Sequence, residues 1–477
     1  MMDQSQIQKL KKVLKKYGQT HLLAFWDRLD PARQDKLLAQ LNHLDFAQVD
    51  RWRRDFVVNP APPGLPPDLA PAPYYPLQPL DDSQRLKYDH ARQLGAKLIS
   101  EGKVAAFVVA GGQGTRLGFD GPKGNFSLSP VKNKTLFRIF AETITAVSRK
   151  YHATCPWYVM TSPLNHDQTL QIFRDNDYYH LDKNDVFIFR QGTLPNFDLT
   201  GKILLADLDT VAASPDGHGG CLKALRDSGA LDDMKKRGIE FISYWQVDNP
   251  LVNIFDPLFI GLHALDDAEM SSKGLNKTDP LENVGNFCLV NGKITVIEYT
   301  EFNTQPEEIT HRKNTDGSPA FLGSIAIHLI STSFVERFNK QALTLPLHKA
   351  VKKINHIDNG GRRIEPAEPN GIKLESFVFD ALPLATKSII LQTRRSEEFS
   401  PTKNATGVDS VETTRQLMIA RAASWLESAD VKIPRKPDGS PDCTIEIAPS
   451  FALTRDDVIA KRDKIPPIKP GDKLYLT

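Results

Sequence analysis

The first 56 residues of the chain carry apolar side chains at helical spacing. From Ile7 to Leu14 an apolar residue recurs every three or four positions, and Gly18 follows as a stop signal. A second helix is predicted after Asp30, because an aspartate N-cap followed by Pro31 is a typical helix start. The pattern therefore predicts a small N-terminal helical unit.

The next segment, Asn59–Leu80, contains more proline than a helix or a strand tolerates. Its sequence is NPAPPGLPPDLAPAPYYPLQPL. Because proline lacks an N–H group and fixes its φ angle, we expect an extended connector, either free or packed along the next domain. A domain boundary is predicted here, so residues 1–80 are assigned to the N-terminal helices and the connector.

From residue 82 onwards, strongly apolar runs alternate with amphipathic segments. The predicted elements are helix 82–102, strand 104–110, helix 134–151, strand 156–162, helix 165–176, strand 185–191, helix 220–238 and strand 239–248. Strands separated by helices favour a mostly parallel sheet whose strands end at the ligand site. Residues 81–385 are assigned to this central α/β domain.

The last part of the chain has a different pattern. Two predicted strands, 387–395 and 443–451, lie on either side of a predicted helix at 412–427. This indicates a small mixed C-terminal domain, residues 386–477. The predicted fold is therefore α/β, with a central mostly parallel sheet flanked by N-terminal helices and the C-terminal domain.

Charge and cysteine content exclude several classes of protein. The 477 residues include 60 Lys plus Arg and 58 Asp plus Glu, a net charge of +2, which favours neither nucleic-acid binding nor a polybasic membrane contact. No segment approaches the roughly 20 apolar residues of a membrane span. The four cysteines are far apart and lack metal-site spacing, so we expect reduced thiols in a cytoplasmic protein. The sequence carries no signal of an oligomeric state.

The stretch AGGQGTRLGFDGPKGN, residues 110–125, contains six glycines and follows a predicted strand. It is not a dinucleotide fingerprint, because Leu117 stands where the third glycine belongs and prolines delay the next helix. It is not a Walker A loop either, since Lys123 lies between Pro122 and Gly124. Both familiar phosphate loops are therefore excluded by spacing.

The same stretch keeps the chemistry that phosphate binding requires. Glycines allow backbone N–H groups to approach phosphate oxygens, and fixed cations neutralise the remaining charge. Arg116 offers a planar pair of donors for a pyrophosphate, whereas Lys123 supplies a mobile point charge. A long loop with both cations suits a nucleoside triphosphate that is to be split.

These motifs, AGGQGTRLG with GPKGNF and KTLF, resemble the UDP-sugar pyrophosphorylases, most closely the eukaryotic-type UDP-N-acetylglucosamine pyrophosphorylases. Later segments agree in order and spacing: MTSPLN, HLDKNDVFIFRQGTLP, SPDGHGG, YWQVDNPLV, VIEYTE, PNGIKLESFVFD and EFSPTKNA. The resemblance spans residues 100–455 and implies a fold of nucleotide-diphospho-sugar transferase type. It also implies a uridylyltransferase that uses Mg²⁺, UTP and a sugar-1-phosphate to form a UDP-sugar, with UDP-N-acetylglucosamine the expected product, and pyrophosphate.

The resemblance assigns roles on the nucleotide side. It implies catalytic roles for three cations, with Arg116 at the leaving pyrophosphate, Lys123 at the α-phosphate and Lys403 reaching the phosphates from the far side. The implied nucleotide-binding residues are Ala110, Gly111, Gly112, Gln191, Gly217, Asp248 and Lys373. The Gln191 amide suits uracil because it offers both a donor and an acceptor. The carboxylate of Asp248, at a strand end, is the implied metal ligand.

On the sugar side two of the five implied contacts depart from the family pattern. The five are His218, Gly285, Glu298, Tyr299 and Ser324. The N-acetylglucosamine enzymes usually carry asparagine where this chain has His218 and Ser324. Two alternatives therefore stay open: a pyrophosphorylase that uses glucose-1-phosphate or galactose-1-phosphate, and a non-catalytic nucleotide-sugar binding protein. Retention of Arg116 argues against the second, because binding alone needs no arginine at the leaving group.

Overall fold

The computed structural model describes residues 4–59 and 68–477, which divide into two units. The larger unit comprises 68–191, Cys221–Thr344 and Phe379–Thr477, and the smaller unit comprises 4–59, Gly192–Gly220 and Leu345–Val378. Both units are assembled from separated segments. The domains predicted from the sequence, 1–80, 81–385 and 386–477, are continuous instead.

A single large sheet forms the centre of the larger unit, whose elements are numbered here in chain order. Its strands are β1 Ala70–Pro71, β2 Val104–Val109, β3 Trp157–Thr161, β4 Val186–Arg190, β5 Phe241–Gln246, β6 Met270–Leu275, β7 Gly285–Val290, β8 Lys293–Ile297, β9 Gly323–Ser331 and β10 Ser388–Thr393. In the described residues these ten strands follow the order β1-β7-β9-β5-β2-β3-β4, with β8 beside β7 and β6 pairing with β9 and β10.

The sheet is parallel in the part that the sequence predicts and antiparallel elsewhere. Strands β5, β2, β3 and β4 pair in parallel, as do β6 and β10. Strand β9 runs antiparallel to β5, β6 and β7. The α/β prediction is confirmed, but the sheet as a whole is mixed, because β7, β8 and β9 form a separate antiparallel part that the helix-strand alternation does not reveal.

Two further differences concern the flanks of the predicted central domain. Ala70–Pro71, within the segment predicted to be too proline-rich for a sheet, is an edge strand on β7, a position that tolerates a missing N–H group. Strand β10, assigned from the sequence to the C-terminal domain, instead pairs with β6 of the large sheet. Neither pairing was predicted, because strand pairing over long sequence separations is not a local property; the extended connector packed along the next domain is one of the two arrangements that the sequence left open.

Helices cover the sheet and extend to the C-terminus of the larger unit. They are α1 Asp82–Ser100, α2 Leu136–Tyr151, α3 His166–Asp175, α4 Cys221–Asp227, α5 Ala230–Lys236, α6 Pro257–Leu265, α7 Tyr299–Phe302, α8 Glu307–Thr310, α9 Thr332–Lys340, α10 Arg395–Glu398, α11 Val411–Glu427 and α12 Arg455–Ala460. The single helix predicted over 220–238 is two helices, because Gly229 adopts a left-handed φ of 80° between them. In the described ranges, no helix combines the length and apolarity needed to cross a membrane.

The core of the larger unit explains why the central strands were easy to predict. Strand β2 lies between two parallel neighbours, and Val104, Ala106 and Val108 are buried in the same cluster as residues of α2 such as Phe140 and Ile144. A strand covered on both faces is apolar throughout rather than alternating. The C-terminal segment adds a small cluster of its own around α11, α12 and a parallel strand pair, β11 Thr444–Ile447 and β12 Lys473–Leu476.

The smaller unit combines the N-terminal helices with short strands from two later segments. The helices are Gln4–Lys16, Pro31–His43 and Phe46–Arg53, and the strands are Thr193–Pro195, Phe197–Asp198, Leu205–Asp207, Thr210–Val211, Ala213–Pro215, His348–Lys352, His356–Ile357, Arg363–Ile364 and Gly371–Glu375. The predicted helix start is confirmed, since the Asp30 side chain accepts a hydrogen bond from Arg33 N at 2.9 Å. The helices share one core with the strands, in which Leu14, Phe197 and Ile372 are buried, so they do not form a separate helical unit.

Helices α1 and α6 approach each other through two glycines. A Cβ atom at Gly261 would overlap the carbonyl group of Ala91, and one at Gly95 would overlap the carbonyl group of Pro257. Because the obstructing atoms are backbone, a side chain cannot be accommodated by a rotamer change. We therefore expect Gly261→Ala to lower the free energy of unfolding by at least about 2 kcal/mol, measured by urea denaturation.

The control for this prediction lies on the same helix pair. Leu86 on α1 is 71% exposed, and Leu86→Ala should change the free energy of unfolding by no more than about 0.5 kcal/mol. An unchanged urea midpoint for Gly261→Ala would mean that the helices do not cross this closely.

Candidate active site

The glycine loop after β2 is closed by its own backbone. Ala110 N extends the pairing of β2 with β3 by donating to Met160 O at 2.7 Å. Further along, Lys123 N donates to Gly112 O at 3.0 Å and Gly114 N to Gly121 O at 2.8 Å. The loop therefore leaves the sheet and returns to its own starting point, which brings the Lys123 side chain over Gly112.

Asn165, which the sequence analysis did not single out, holds this loop in place. Its side chain is almost fully buried, and Nδ2 donates to Ala110 O at 2.9 Å and to Gly112 O at 3.3 Å. Its Oδ1 accepts from Ser162 N at 2.9 Å, so the amide is fixed at both ends. The residue ends the quoted segment MTSPLN, which was the only signal for it.

Gln191 lies against the start of the loop. A Cβ atom at Gly111 would lie 2.6 Å from Gln191 Oε1, so the glycine leaves room for the amide. Gln191 is 7% exposed, and its N donates to Thr161 O at 2.8 Å at the end of β4. The structure thus brings two of the predicted nucleotide-binding residues into direct proximity.

Lys123 and Asp248 face each other across adjacent strand ends. Val247 N donates to Val109 O at 3.1 Å, which continues the pairing of β5 with β2 up to Asp248. Lys123 Nζ lies 3.8 Å from Asp248 Oδ2, and the two side chains are only 14% and 12% exposed. The pair is longer than a hydrogen bond, so each charge remains available to a ligand between or beside them.

Lys403 belongs to a segment that is attached to both of these loops through backbone bonds. Thr402 N donates to Asp248 O at 2.8 Å, and Ala405 N donates to Arg116 O at 3.1 Å. Arg116 itself lies on a short turn of the glycine loop with an exposed side chain. The predicted catalytic residues Arg116, Lys123 and Lys403 therefore lie together around Asp248.

Asp409 is a second acidic residue at this site and was not predicted. Its carbonyl oxygen accepts from Lys403 N at 2.7 Å, and its Oδ2 lies 3.9 Å from Lys403 Nζ. Burial raises the pKa of the Asp409 carboxyl group, and the negative charge of Asp248 acts in the same direction, whereas Lys403 opposes both. The backbone of Asp409 has a left-handed φ of 54°, a conformation that aspartate adopts more readily than most non-glycine residues.

The predicted sugar-binding residues of the larger unit also meet at one end of the sheet. Ser324 of β9 pairs with Gly285 of β7, and a Cβ atom at Gly285 would lie 3.7 Å from Glu298 Oε1. Tyr299 follows directly as the first residue of α7. Because β9 runs antiparallel to β5, the N-terminal end of β9 lies beside the C-terminal end of β5, which leads to Asp248. The sugar-side group and the phosphate-side cations therefore lie at the same end of the sheet.

Lys277 is a buried cation next to this sugar-side group. It is 4% exposed, and its Nζ donates to Asn286 Oδ1 at 2.6 Å and lies over the Phe302 ring. Burial lowers the pKa of Lys277 to about 8, with partial compensation from Glu282. No motif or spacing in the sequence points to this residue.

Three predicted site residues, Gly217, His218 and Lys373, belong to the smaller unit. Gly217 has a left-handed φ of 85°, and a Cβ atom there would overlap the carbonyl oxygen of Ser376. Lys373 lies on the strand Gly371–Glu375, opposite Ala350. The chain continues from this strand to the segment that packs against Gly217, so the structure places the three residues close in the same unit.

The surroundings of His218 fix the protonation and the tautomer of its ring. Its ring stacks on Phe377 with centroids 5.2 Å apart, and its Nδ1 accepts a hydrogen bond from Val378 N at 3.2 Å. Burial lowers the pKa of His218 to about 4, and His348 contributes in the same direction. The ring is therefore neutral near pH 7, and because Nδ1 accepts, the proton is on Nε2 as a donor.

The sequence of the chain is similar to that of several known proteins. Residues 75–476 match the model of the family described as UTP--glucose-1-phosphate uridylyltransferase. The human UDP-N-acetylhexosamine pyrophosphorylase-like protein 1 is 37% identical over 467 residues, covering 91% of this chain and 91% of that protein. The UDP-N-acetylglucosamine pyrophosphorylase of Saccharomyces cerevisiae is 35% identical, covering 86% of this chain and 89% of its own length.

A solved structure extends the similarity to the whole chain. The uridine diphosphate N-acetylglucosamine pyrophosphorylase from Trypanosoma brucei, in complex with inhibitor, is 26% identical with a TM-score of 0.81 and covers 100% of this chain and 99% of that chain. The fold predicted from the resemblance is thereby confirmed. Since the family model and both relatives span most of the sequence, the chain belongs to the UTP--glucose-1-phosphate uridylyltransferase family, the group of enzymes to which the UDP-sugar pyrophosphorylases belong.

Proposed function

We propose that the protein is a UTP:sugar-1-phosphate uridylyltransferase that converts UTP and N-acetylglucosamine-1-phosphate into UDP-N-acetylglucosamine and pyrophosphate. The observation that carries the proposal is the grouping of Arg116, Lys123 and Lys403 around Asp248 through backbone hydrogen bonds of their loops. Three cations at one strand end suit a triphosphate and a sugar phosphate bound together. The names of the human and yeast relatives support the choice of sugar.

The reaction needs positioning and charge stabilisation rather than a covalent intermediate. An oxygen of the sugar phosphate attacks the α-phosphorus of UTP in line, the bond to the β-phosphate oxygen breaks, and pyrophosphate leaves. Lys123, partly buried beside Asp248, neutralises the α-phosphate in this proposal. Exposed Arg116 offers its paired donors to the leaving pyrophosphate, while Lys403 reaches the phosphates from its own segment.

The uridine is held by groups that leave little freedom. Gly111 leaves room for Gln191 Oε1, and the backbone N–H groups of Gly111 and Gly112 are proposed to contact the nucleotide. The Gln191 amide is proposed to pair with the donor and acceptor edge of uracil.

A divalent cation, Mg²⁺ in our proposal, fits the donors at Asp248. The carboxylate is partly buried and is not consumed by a close ion pair, since Lys123 Nζ stands 3.8 Å away. Within 4–59 and 68–477, no cluster of three or more His, Cys, Asp or Glu side chains forms a metal site on its own, so substrate phosphates would complete the coordination. When bound, the cation supplies positive charge that stabilises the reacting phosphates.

The sugar side is the part of the site that sets substrate preference. His218 is proposed to donate from Nε2 to the sugar, where an asparagine amide serves in the N-acetylglucosamine enzymes. Glu298 accepts from sugar hydroxyl groups, with Gly285, Tyr299 and Ser324 lining the same end of the sheet. The replacement of two asparagines by His218 and Ser324 favours a second candidate function, in which glucose-1-phosphate or galactose-1-phosphate is also used.

The four cysteines support a reducing location for the protein. All four are buried, and burial raises the pKa of Cys155 to about 11, which keeps that thiol protonated and unreactive. We therefore propose a cytoplasmic enzyme.

The proposed reaction predicts a large effect of removing the Lys123 charge. Lys123→Ala should lower kcat by about 100-fold or more, because a cation at the reacting phosphate is lost while the fold is kept. The measurement is pyrophosphate release with Mg²⁺, UTP and N-acetylglucosamine-1-phosphate. Lys183→Ala, at an exposed lysine before β4, serves as the matched control. Near-normal release by Lys123→Ala would contradict the assignment.

Sugar preference is predicted to depend on His218 and Ser324. The wild-type protein should show its highest kcat/KM with N-acetylglucosamine-1-phosphate in a panel that includes glucose-1-phosphate and galactose-1-phosphate. The double substitution His218→Asn and Ser324→Asn should raise this preference by about tenfold, the order expected for altered pocket contacts. The KM for UTP should not change. Higher kcat/KM with glucose-1-phosphate in the wild type would favour the second candidate function.

His218 also predicts a pH dependence of stability. Its folded pKa of about 4 lies below the ordinary 6.5, so the stabilisation is present above pH 6.5 and is lost as the pH falls towards 4. We expect His218→Asn to reduce the loss of unfolding free energy between pH 7 and pH 4.5 by about 1 kcal/mol, measured by urea denaturation. His180→Asn, at an exposed histidine, is the control and should leave the acid-induced loss unchanged.

A further inference from the structure

A cavity of about 280 Å³ lies in the larger unit, apart from the residues assigned to the active site. Helices α2, α10 and α11, strand β11 and the segments 250–257 and 449–455 line it. None of the sequence-predicted site residues lines this cavity. Its size is near the lower end of small-molecule sites in proteins, which are typically about 300–1,000 Å³.

Much of the cavity wall is apolar. Side chains of α2, α11 and the connecting segments supply this surface, among them Ile139, Val147, Phe255, Met418 and Leu453. An apolar wall favours a ligand with an aliphatic or aromatic body, because burying such a body in the cavity removes it from water.

Most charged groups at the wall are already neutralised by a neighbour. Arg455 Nη2 donates to Glu397 Oε1 at 2.6 Å, and Lys134 Nζ donates to Glu142 Oε2 at 2.6 Å. Similar pairs join Lys150 to Asp457, Lys134 to Glu446 and Glu398 to Lys273. These groups need no ligand for charge compensation.

Arg421 on α11 differs from them. Its two hydrogen bonds start at Nη1 and go to backbone carbonyl groups, Leu251 O and Glu397 O, both at 3.0 Å. Its guanidinium lies over the Trp425 ring at 5.1 Å. In the part of the chain that the structure describes, no carboxylate forms a salt bridge with it, and Nε and Nη2 have no acceptor.

The environment of Arg421 disfavours its charge. Burial lowers the pKa of Arg421 to about 10, with only partial compensation from Glu397 and Glu398. The side chain is only partly buried, and an anion in the cavity that accepts from its remaining donors supplies the counter-charge that Arg421 lacks. Among the charged residues that line the cavity, Arg421 is therefore the one that lacks a counter-ion and can bind an anion.

The carbonyl groups that Arg421 holds belong to the two segments that reach the proposed active site. Leu251 is three residues beyond Asp248, and Glu397 precedes the segment that carries Lys403. These segments are further joined by hydrogen bonds from Asn249 Nδ2 to Glu398 O at 2.7 Å and from Ser400 N to Asn249 Oδ1 at 3.1 Å. A ligand that binds the Arg421 guanidinium therefore affects both segments at once.

We propose that this cavity is an effector site for a small organic anion, a carboxylate or phosphate on an apolar body, recognised by Arg421. Its occupation changes turnover through the segments of Asp248 and Lys403. The binding half of the inference is independent of the reaction, whereas the coupling half rests on the proposed uridylyltransferase activity.

Binding is tested with the full chain by isothermal titration calorimetry, using benzoate, phenyl phosphate and the uncharged benzamide as probes. We expect benzoate to bind with a Kd of about 1 mM, in line with the small number of atoms it buries, and benzamide at least about tenfold more weakly. Phenyl phosphate distinguishes a phosphate ligand from a carboxylate ligand by which of the two binds more tightly. Absence of benzoate and phenyl phosphate binding up to about 10 mM, or equal binding of benzamide, overturns the inference.

Two variants place the binding at Arg421. Arg421→Gln removes the charge but keeps an amide that can donate to one of the carbonyl groups, and it should weaken benzoate binding at least about tenfold. Arg415→Gln is the matched control, because Arg415 lies on the same helix, donates to Leu128 O at 2.9 Å and does not line the cavity. Equal binding by Arg421→Gln and the wild type contradicts the assignment. If Arg421→Gln does not fold, Met418→Trp, which fills the cavity, must abolish binding instead.

Coupling is tested by pyrophosphate release at saturating UTP and sugar-1-phosphate. Saturating benzoate should change kcat at least about twofold in the wild type and in Arg415→Gln, but not in Arg421→Gln. Benzoate binding without a change in kcat overturns the coupling. If the protein releases no pyrophosphate with any sugar, the proposed function has failed, and calorimetry still decides the binding half.

Discussion

The arrangement of the larger unit depends on the ion pairs made by the fully buried ammonium group of Lys273. On β6, this side chain is 0% exposed, and its Nζ lies 2.7 Å from Asp256 and 2.6 Å from Glu398. Removing the lysine would leave two carboxylates, Asp256 and Glu398, without their shared counter-charge, which costs about 3–5 kcal/mol. The sheet, the start of α6 and the segment that leads to Lys403 are therefore fixed to one point.

A fixed backbone also explains how the flexible cationic side chains of the site can be positioned accurately. Lysine and arginine side chains have many rotamers, so their positions depend on the backbone that carries them. Here the backbones of the loops are held by other groups: Asn165 for the glycine loop, and Asp248 O and Arg116 O for the segment of Lys403. In the proposed reaction the cationic side chains themselves bind the phosphates, as positioning by rigid surroundings requires.

The parts of the fold that the sequence predicts are those determined locally. The parallel strands are continuous apolar runs, and the glycine loop carries its glycines and cations within sixteen residues. Asn165 escaped prediction because its contacts with Ala110 and Gly112 depend on where two strand ends meet. The antiparallel strands β7 to β9, the pairing of β10 with β6 and the composition of the two units depend on contacts between distant segments, which no local pattern encodes.

The interleaving of the two units has a consequence for biosynthesis. The N-terminal helices leave the ribosome first, yet their core residue Leu14 packs with Phe197 and Ile372, which are made much later. Until the third segment arrives, the apolar faces of these helices are without their native cover. Loop closure over such separations is entropically unfavourable and slow, and exposed apolar surface promotes aggregation. Folding of the smaller unit must therefore finish late in translation, and nascent chains truncated before residue 372 should depend on chaperones.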